Sequence, residues 1–461
     1  MSESTTPVAK NQQLEVTFTD LTQDGSGVAK VDGYTLFIPG GLPGEKAKIQ
    51  VIKTKKGYGY GRLLELTESS DRRAEPPCPY YDQCGGCAIQ HISAEGQLAY
   101  KREIVRDALE RIGGLSDIPV EPTLGMDEPW SYRNKIQVPV AMQNGKFAFG
   151  FYKKRSHDIV DMEHCMITDL LIDDIVQTAR KVAEENSIVP YDEVKNRGVL
   201  RHVMARVGKK TGEVMVVFVT RTEELPHRKT LIRELTERYP QIKSIAQNIN
   251  TKRTNAIFGD TTKTLWGRDV IYDQIGDVTF AISARSFFQV NPTQTEVLYG
   301  KALEFAGLTG KETVIDAYCG IGTISLFLAK QAKHVYGVEI VPEAIEDAKK
   351  NAELNKITNA TFEVGKSEDV IPNWRDQGIE PNVIVVDPPR KGCDASLIGT
   401  MIAMQPERIV YVSCNPATLA RDLKLLTAGG YQVKKVQPVD MFPQTMHVEC
   451  VVLMSRVDIE K

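Results

Sequence analysis

The sequence predicts an α/β protein with an N-terminal β-barrel, a central α+β domain and a C-terminal doubly wound sheet. Three observations carry that expectation. From about residue 285, apolar strand runs at 312–316, 334–339, 382–386 and 408–413 alternate with helical runs at 322–331, 342–355, 395–404 and 416–427. That alternation is the βαβ rhythm of a parallel sheet. Before residue 70, short β-rich runs are separated by glycine turns, a spacing that suits a small barrel. Between the two ends, strand and helix patterns interleave without an internal repeat.

Composition sets the outer bounds. At 461 residues the chain is long enough for about three domains. Its 42% apolar and 25% charged residues are ordinary for a globular protein. The net charge of −3 means that contact with a polyanion would rest on local basic patches. The opening Met-Ser-Glu-Ser-Thr-Thr has neither the basic nor the apolar region of a signal peptide. The longest apolar stretch, 314–329, is broken by Asp316 and a Gly-x-Gly turn, so it is not a membrane span. Eight cysteines over this length are no disulfide framework, and a reduced, cytoplasmic, monomeric protein is expected.

Along the chain, polar residues 1–12 are expected to be disordered. Residues 13–70 form the barrel, with strands at 14–18, 34–38, 46–52 and 58–66. Small barrels of this kind bind oligonucleotides. Within it, Tyr58 and Tyr60 alternate with glycines beside Lys55, Lys56 and Arg62. Period-2 spacing puts both rings on one sheet face, as base stacking requires. Residues 71–284 form the central domain: a cysteine-rich loop at 72–95, a helix at 96–112, strands such as 135–140 and 212–220, and helices such as 168–185 and 228–238. Residues 285–461 form the doubly wound domain. There Asp316, Glu339, Asp387 and Cys414 each fall at, or one residue beyond, the carboxyl end of a different strand, the edge where open α/β sheets bind ligands.

The segment 313–325, Thr-Val-Ile-Asp-Ala-Tyr-Cys-Gly-Ile-Gly-Thr-Ile-Ser, reads as strand, glycine turn and helix start. Glu339 ends the next strand, where an acid can take both hydroxyls of a ribose. A dinucleotide fingerprint would need a third glycine near Ser325. Asp-x-x-x-Gly-x-Gly instead favours S-adenosylmethionine, which has no pyrophosphate to cradle and whose sulfonium benefits from nearby carboxylates. The domain is therefore expected to be a Rossmann-like, S-adenosylmethionine-dependent methyltransferase.

Amine methyltransferases commonly follow Asn/Asp-Pro-Pro with an aromatic residue; here Asp387-Pro-Pro is followed by Arg390. Cys414 in Ser-Cys-Asn-Pro and Glu449 in His-Val-Glu-Cys suit a different problem. C5 of uracil is a weak nucleophile, and a thiolate adding to C6 makes it reactive; a base must then remove the C5 proton. Cys414 is the candidate nucleophile and Glu449 the candidate base. Cys319 and Cys450 read as packing residues, and Cys393, after the Pro-Pro turn, as a weaker competitor. Separately, Cys78, Cys84, Cys87 and Cys165 supply four thiolates, enough to close a metal site. Spacing alone leaves zinc and an iron–sulfur cluster both open, and it does not match a radical S-adenosylmethionine motif.

Together these motifs resemble the RNA 5-methyluridine methyltransferases, particularly the bacterial 23S ribosomal RNA (uracil-C5) branch with an iron–sulfur cluster. The resemblance spans nearly the whole chain and implies a TRAM/OB-like barrel, a cluster-bearing central domain and a catalytic domain. It implies a [4Fe–4S] cluster on Cys78, Cys84, Cys87 and Cys165, with Cys414 as nucleophile and Glu449 as base. It also implies cofactor contacts from Gln289, Tyr318, Glu339 and Asp387, the last near the target uracil. Thr323 departs from relatives that carry Asn there. Residues 96–125 are expected to pack on the catalytic domain. The expected partner is 23S ribosomal RNA, with the target base flipped from its stack and the strands around Arg133, Lys135, Arg201 and Arg206 holding the surrounding loop; neither membrane nor DNA is expected. Transfer RNA is the alternative substrate, and a non-catalytic RNA chaperone or ribosome-assembly factor the alternative class. Intact Cys414, Glu449 and Asp387 argue against the latter.

Overall fold

The alternation of large and small residues near the N-terminus closes into a five-stranded barrel in the computed structural model, which describes residues 6–22, 24–143 and 145–457. Strands β1 (Gln13–Leu21), β2 (Ser26–Val31), β3 (Tyr34–Pro39), β4 (Lys46–Thr54) and β5 (Tyr58–Glu68) pair in the order β1-β2-β3-β5-β4. Phe18, Leu36, Ile38, Ile49 and Val51 fill the interior. A Cβ at Gly59 would stand 2.9 Å from Leu36, and one at Gly61 2.9 Å from Ile38. Glycine therefore takes the crowded inner positions of β5 and leaves Tyr58 and Tyr60 on the outside, ring centroids 5.7 Å apart. The short β2 carries no strong strand signal and forms by pairing with β1 and β3. Residues 1–5 of the expected disordered N-terminus lie outside the described residues. Residues 8–12 correct that expectation: Val8 is buried in the barrel core, and the Asn11 amide donates to the Val51 carbonyl at 2.7 Å.

Helix α1 (Ala94–Ala108) is capped by Ser93, whose hydroxyl accepts from the Gly96 amide, and it runs into a π-turn over Leu109–Gly113. A six-stranded sheet follows, of order β11-β10-β9-β8-β6-β7. Its strands are β6 (Lys135–Gln143), β7 (Lys146–Phe149), β8 (Leu200–Val207), β9 (Val214–Thr220), β10 (Ile242–Ile249) and β11 (Thr261–Gly267), with α2 (Leu170–Glu185) and α3 (Arg228–Arg238) packed on one face. Helix α1 belongs elsewhere: Val105, Leu109 and Val120 share an apolar cluster with Ile315, Leu419 and Val452.

The expected RNA contacts from Arg201 and Arg206 are corrected by the position of β8 inside this sheet. Arg206 is 1% exposed and donates to the Ser286 carbonyl at 3.2 Å. Arg201 donates to the carbonyls of Asn250 and Lys252 at 2.8 and 2.7 Å and lies over the Tyr191 ring. Both arginines satisfy backbone carbonyls in the interior and present nothing to a polyanion.

A ribbon of β12 (Val270–Ile275) and β13 (Val278–Ser283) leads into the last sheet. That sheet is built from β14 (Thr313–Asp316), β15 (His334–Glu339), β16 (Ala360–Val364), β17 (Val383–Val386), β18 (Arg408–Ser413), β19 (Tyr431–Val439) and β20 (Glu449–Arg456), in the order β16-β15-β14-β17-β18-β20-β19. Helices α4 (Pro292–Ala306), α5 (Thr323–Ala329), α6 (Pro342–Leu354), α7 (Ser367–Asp376), α8 (Ala395–Met404) and α9 (Pro416–Ala428) connect and cover it. The expectation of a wholly parallel sheet needs one correction. Strands β14 to β18 are parallel, but β20 runs antiparallel to both β18 and β19. Strands β19 and β20 form a hairpin, so no crossover helix separates them. This reversal has a chemical consequence: the start of β20 meets the end of β18, with Cys450 opposite Ser413, so Glu449 arrives beside Cys414. Among the described residues no helix is long and apolar enough to cross a membrane.

Candidate active site

A cavity of about 1190 Å³ opens outside the carboxyl ends of β14, β15, β17 and β18, lined by Gln289, Tyr318, Glu339, Asp387, Cys414 and Glu449 among others. All six residues expected from the sequence to hold cofactor or to react therefore face one space.

The floor on one side is the glycine turn. Gly320 and Gly322 take φ of 53° and 83°, left-handed conformations that cost little only without a Cβ. A Cβ at Gly322 would also stand 3.3 Å from Phe362. Asp316 is fully buried and accepts from the Ser325 hydroxyl at 2.6 Å, which fastens β14 to α5. Burial pushes its carboxyl up to about 6, against the pull of the Ser325 bond. Glu339 accepts from the Val341 amide at 3.1 Å, which sets the turn after β15. Gln289 is held from the central domain, where Asn134 Nδ2 donates to its carbonyl at 3.1 Å. Thr323, the departure from the expected Asn, also lines the cavity and accepts from the Tyr299 hydroxyl at 3.3 Å.

The opposite side carries the acids and the thiol. Asn415 N-caps α9 by accepting from the Ala417 amide at 3.1 Å, and its Nδ2 donates to the Arg390 carbonyl at 3.0 Å. The Ser-Cys-Asn-Pro and Asp-Pro-Pro-Arg turns are thereby joined, and Cys414 and Arg390 line the same wall. Burial pushes the Cys414 thiol up to about 11, the charges of Glu449 and Asp387 raise it further, and Arg390 opposes them. Burial and then Asp387 push Glu449 up to about 8, again against Arg390. Asp387 reaches about 7 through burial and the nearby Asp316. Burial first, and mutual charge second, keep protons on these three acidic groups, and a cation entering the cavity would favour their release.

The rival cysteines are placed as packing residues. Cys319 and Cys450 are 2% and 1% exposed in the apolar core, with Cys319 also bordering the cavity. Cys393 is 5% exposed, with its amide donating to Asp422 at 2.8 Å. Among the cavity residues that sequence reasoning missed are Phe287, Arg390 as a facing cation, Phe442 and His447. His447 was within reach only as a near neighbour, two residues before Glu449 in the same short motif. Phe287 is 74% exposed, a property that no local pattern announces.

A second cavity, of about 180 Å³, is lined by Cys78, Cys84, Cys87 and Cys165 together with Arg133 and Lys135. The Gly85 amide donates to the Tyr152 carbonyl at 3.0 Å, and the Tyr81 hydroxyl donates to the Ala88 carbonyl at 2.6 Å, so the loop is pinned on both sides of Cys87. Burial pushes the Cys87 thiol up to about 12, and Cys165, Cys84 and Cys78 add to the rise in that order. The expected closed coordination shell is not met: among the described residues no three His, Cys, Asp or Glu side chains are grouped to hold a metal ion. The donor set still fits an anionic cluster. Burial, then Arg206 and Arg133, press Lys135 down to about 8, and none of these three cations has a carboxylate partner among the described residues. Arg133 and Lys135 thus line the cysteine cavity.

Comparison with known proteins agrees with this geometry. A family profile described as tRNA (Uracil-5-)-methyltransferase matches residues 260–457, and a TRAM domain profile matches 7–64. The chain is 62% identical over 455 residues to a protein of Halalkalibacterium halodurans described as an uncharacterized RNA methyltransferase, covering 99% of each chain. It is 59% identical over 457 residues to one of the same description from Bacillus cereus, again covering 99% of each. Among solved structures, Pyrococcus abyssi tRNA (uracil-54, C5)-methyltransferase in complex with S-adenosyl-L-homocysteine is 29% identical with a TM-score of 0.76, covering 96% of this chain and 100% of that one.

Proposed function

Because the chain belongs to the RNA uracil-5-methyltransferase family and carries its TRAM domain, we propose that it converts uridine to 5-methyluridine in 23S ribosomal RNA through a covalent bond to Cys414. Membership carries the coarser activity, S-adenosylmethionine-dependent methylation of uracil C5 in RNA. The observation that supports the covalent mechanism is that Cys414, Glu449, Asp387 and Gln289 share one cavity with the glycine turn; the choice of 23S ribosomal RNA rests on the barrel and the four cysteines.

S-adenosylmethionine supplies the electrophilic methyl group. Tyr318, Glu339 and Gln289 would hold it, with Asp387 between it and the flipped uracil. Cys414 sulfur bonds to C6, and the C5–C6 electron pair moves toward the O4 carbonyl, so C5 becomes nucleophilic. Once C5 carries the methyl group, Glu449 takes the C5 proton, the sulfur–C6 bond breaks, and the C5–C6 double bond reforms. Cys414 begins as a thiol and Glu449 as an acid at neutral pH, so both must lose protons as the complex assembles.

Residues 13–70 act as the RNA-binding barrel, 71–284 as the cysteine-bearing domain and 285–461 as the catalytic domain of a cytoplasmic enzyme. Cys78, Cys84, Cys87 and Cys165 would hold a [4Fe–4S] cluster, which would tie loop 78–92 to the segment before α2. Its negative charge is offset by Arg133 and Lys135. A second substrate, transfer RNA, is favoured by one specific observation, the likeness to the Pyrococcus abyssi enzyme. Mapping 5-methyluridine in both RNA pools, with and without the gene, decides between them. Loss confined to 23S ribosomal RNA supports the proposal, and loss confined to transfer RNA overturns it.

A further inference from the structure

We propose that residues 88–101 form a buried strap that positions the wall of the target-base pocket, which makes the cysteine loop a positioning element of the catalytic site. This inference rests on the reading of Glu449 as the base. The segment 440–448 links β19 to β20 and is turn-rich, and its Phe442 and His447 line the active cavity. Its conformation is fixed largely from outside its own sheet.

Lys101 on α1 is wholly buried and donates to Asp440 Oδ1 at 2.5 Å and to the Phe442 carbonyl at 3.1 Å. Tyr132 donates to the Pro443 carbonyl at 3.0 Å. Gln444 adopts φ of 70°, a left-handed conformation that a non-glycine residue keeps only when its surroundings compel it. The compulsion is visible. Gln97 pairs with Gln444 in both directions: its Oε1 accepts the Gln444 amide, and its Nε2 donates to Gln444 Oε1, each at 3.0 Å. The amides of Ala88 and Ile89 both donate to the Gln444 carbonyl, at 2.9 and 3.2 Å. Ala88 directly follows Cys87, so the cysteine loop grips the pocket wall through its backbone. Asn291 and Gln294 hold the other end, at the carbonyls of Met441 and Asp440.

Stability alone does not call for a buried lysine–aspartate pair here, since apolar replacements of such pairs are often neutral or stabilising. What the pair adds is a fixed path for the segment that ends at Glu449. In the proposed reaction, addition of sulfur to C6 and methylation of C5 precede proton removal. A loosened wall on the Glu449 side therefore slows the second half of the cycle, and the methylated covalent adduct accumulates.

The test compares Gln97→Leu, Gln97→Glu, Lys101→Met and the double variant Lys101→Met/Asp440→Leu with the wild type, all as full chains, on unmodified substrate RNA. Gln97→Leu and Lys101→Met are expected to lower kcat about 10- to 100-fold, to leave S-adenosylmethionine affinity within about two-fold, and to raise the adduct fraction on denaturing gels. Gln97→Glu keeps the acceptor for the Gln444 amide and is expected to recover part of the loss. The double variant regains the wild-type melting temperature but stays slow. Folded variants that turn over at the wild-type rate, or a double variant that regains turnover together with stability, overturn the strap. Absence of any adduct when the wild type meets 5-fluorouridine RNA and S-adenosylmethionine overturns the reading of the site instead, so the two failures are distinct.

Discussion

One cavity in this molecule presents half-buried Cys414, with buried Cys319 at its edge, the other presents four cysteines, and different charged residues line the two. Around Cys414 stand Asp387 and Glu449, with Arg390 opposing them; around Cys78, Cys84, Cys87 and Cys165 stand Arg133 and Lys135. Burial dominates in both cavities: it pushes Cys414 up to about 11 and Cys87 up to about 12, so neither thiol gives up its proton readily. The contrast teaches that grouping divides the proposed ligands from the proposed nucleophile: four thiols face one small cavity, and one thiol stands beside two acids in a larger one.

Replacing a cysteine in each cavity breaks the comparison most sharply. Cys414→Ala is expected to lower methylation roughly ten-thousand-fold or more, while S-adenosylmethionine affinity and melting temperature stay near wild type, as calorimetry and thermal melts would check. Equal residual turnover in Cys414→Ala and the wild type contradicts the assignment. Cys87→Ser is expected to do the reverse. Iron content falls, the melting temperature drops by several degrees, equivalent to about 1–2 kcal/mol, and turnover per folded molecule falls only about ten-fold. Iron analysis of anaerobically purified protein beside a thermal melt reads both.

A smaller effect sharpens the electrostatic half of the contrast. Asp387 and Glu449 are pushed up to about 7 and 8 from ordinary values of 3.8 and 4.5, so over that interval the folded chain binds more protons than the unfolded one. Stability supplied by these groups is therefore present at low pH and is lost as pH rises through their folded values. Glu449→Gln is expected to flatten that fall, gaining roughly 1–3 kcal/mol relative to wild type at pH 8.5 compared with pH 5. Denaturant unfolding at the two pH values measures it, and parallel curves for the two proteins contradict the burial argument.

Legibility in the sequence followed how local the cause was. The alternation at 312–316, 334–339, 382–386 and 408–413 was read within a residue or so at either end, because buried parallel strands are apolar throughout and Pro342 and Pro416 mark two of the helix starts. Glu449 was legible as a residue type, but its place beside Cys414 depends on β20 running antiparallel, which no local pattern near 449 encodes. Arg201 and Arg206 were misread because a basic residue in a strand reads as surface, and the backbone carbonyls that accept their donors come from loops some 50 to 80 residues away. The Gln97–Gln444 pair spans 347 positions and was invisible for the same reason.

The most direct test of the account is trapping on RNA that carries 5-fluorouridine, since fluorine at C5 cannot be removed as a proton. In the presence of S-adenosylmethionine, the wild-type protein is expected to form a denaturation-resistant complex whose digest places the methylated pyrimidine on the peptide containing Cys414. A complex attached at any other cysteine, or no complex with an RNA that the enzyme methylates when unsubstituted, contradicts it.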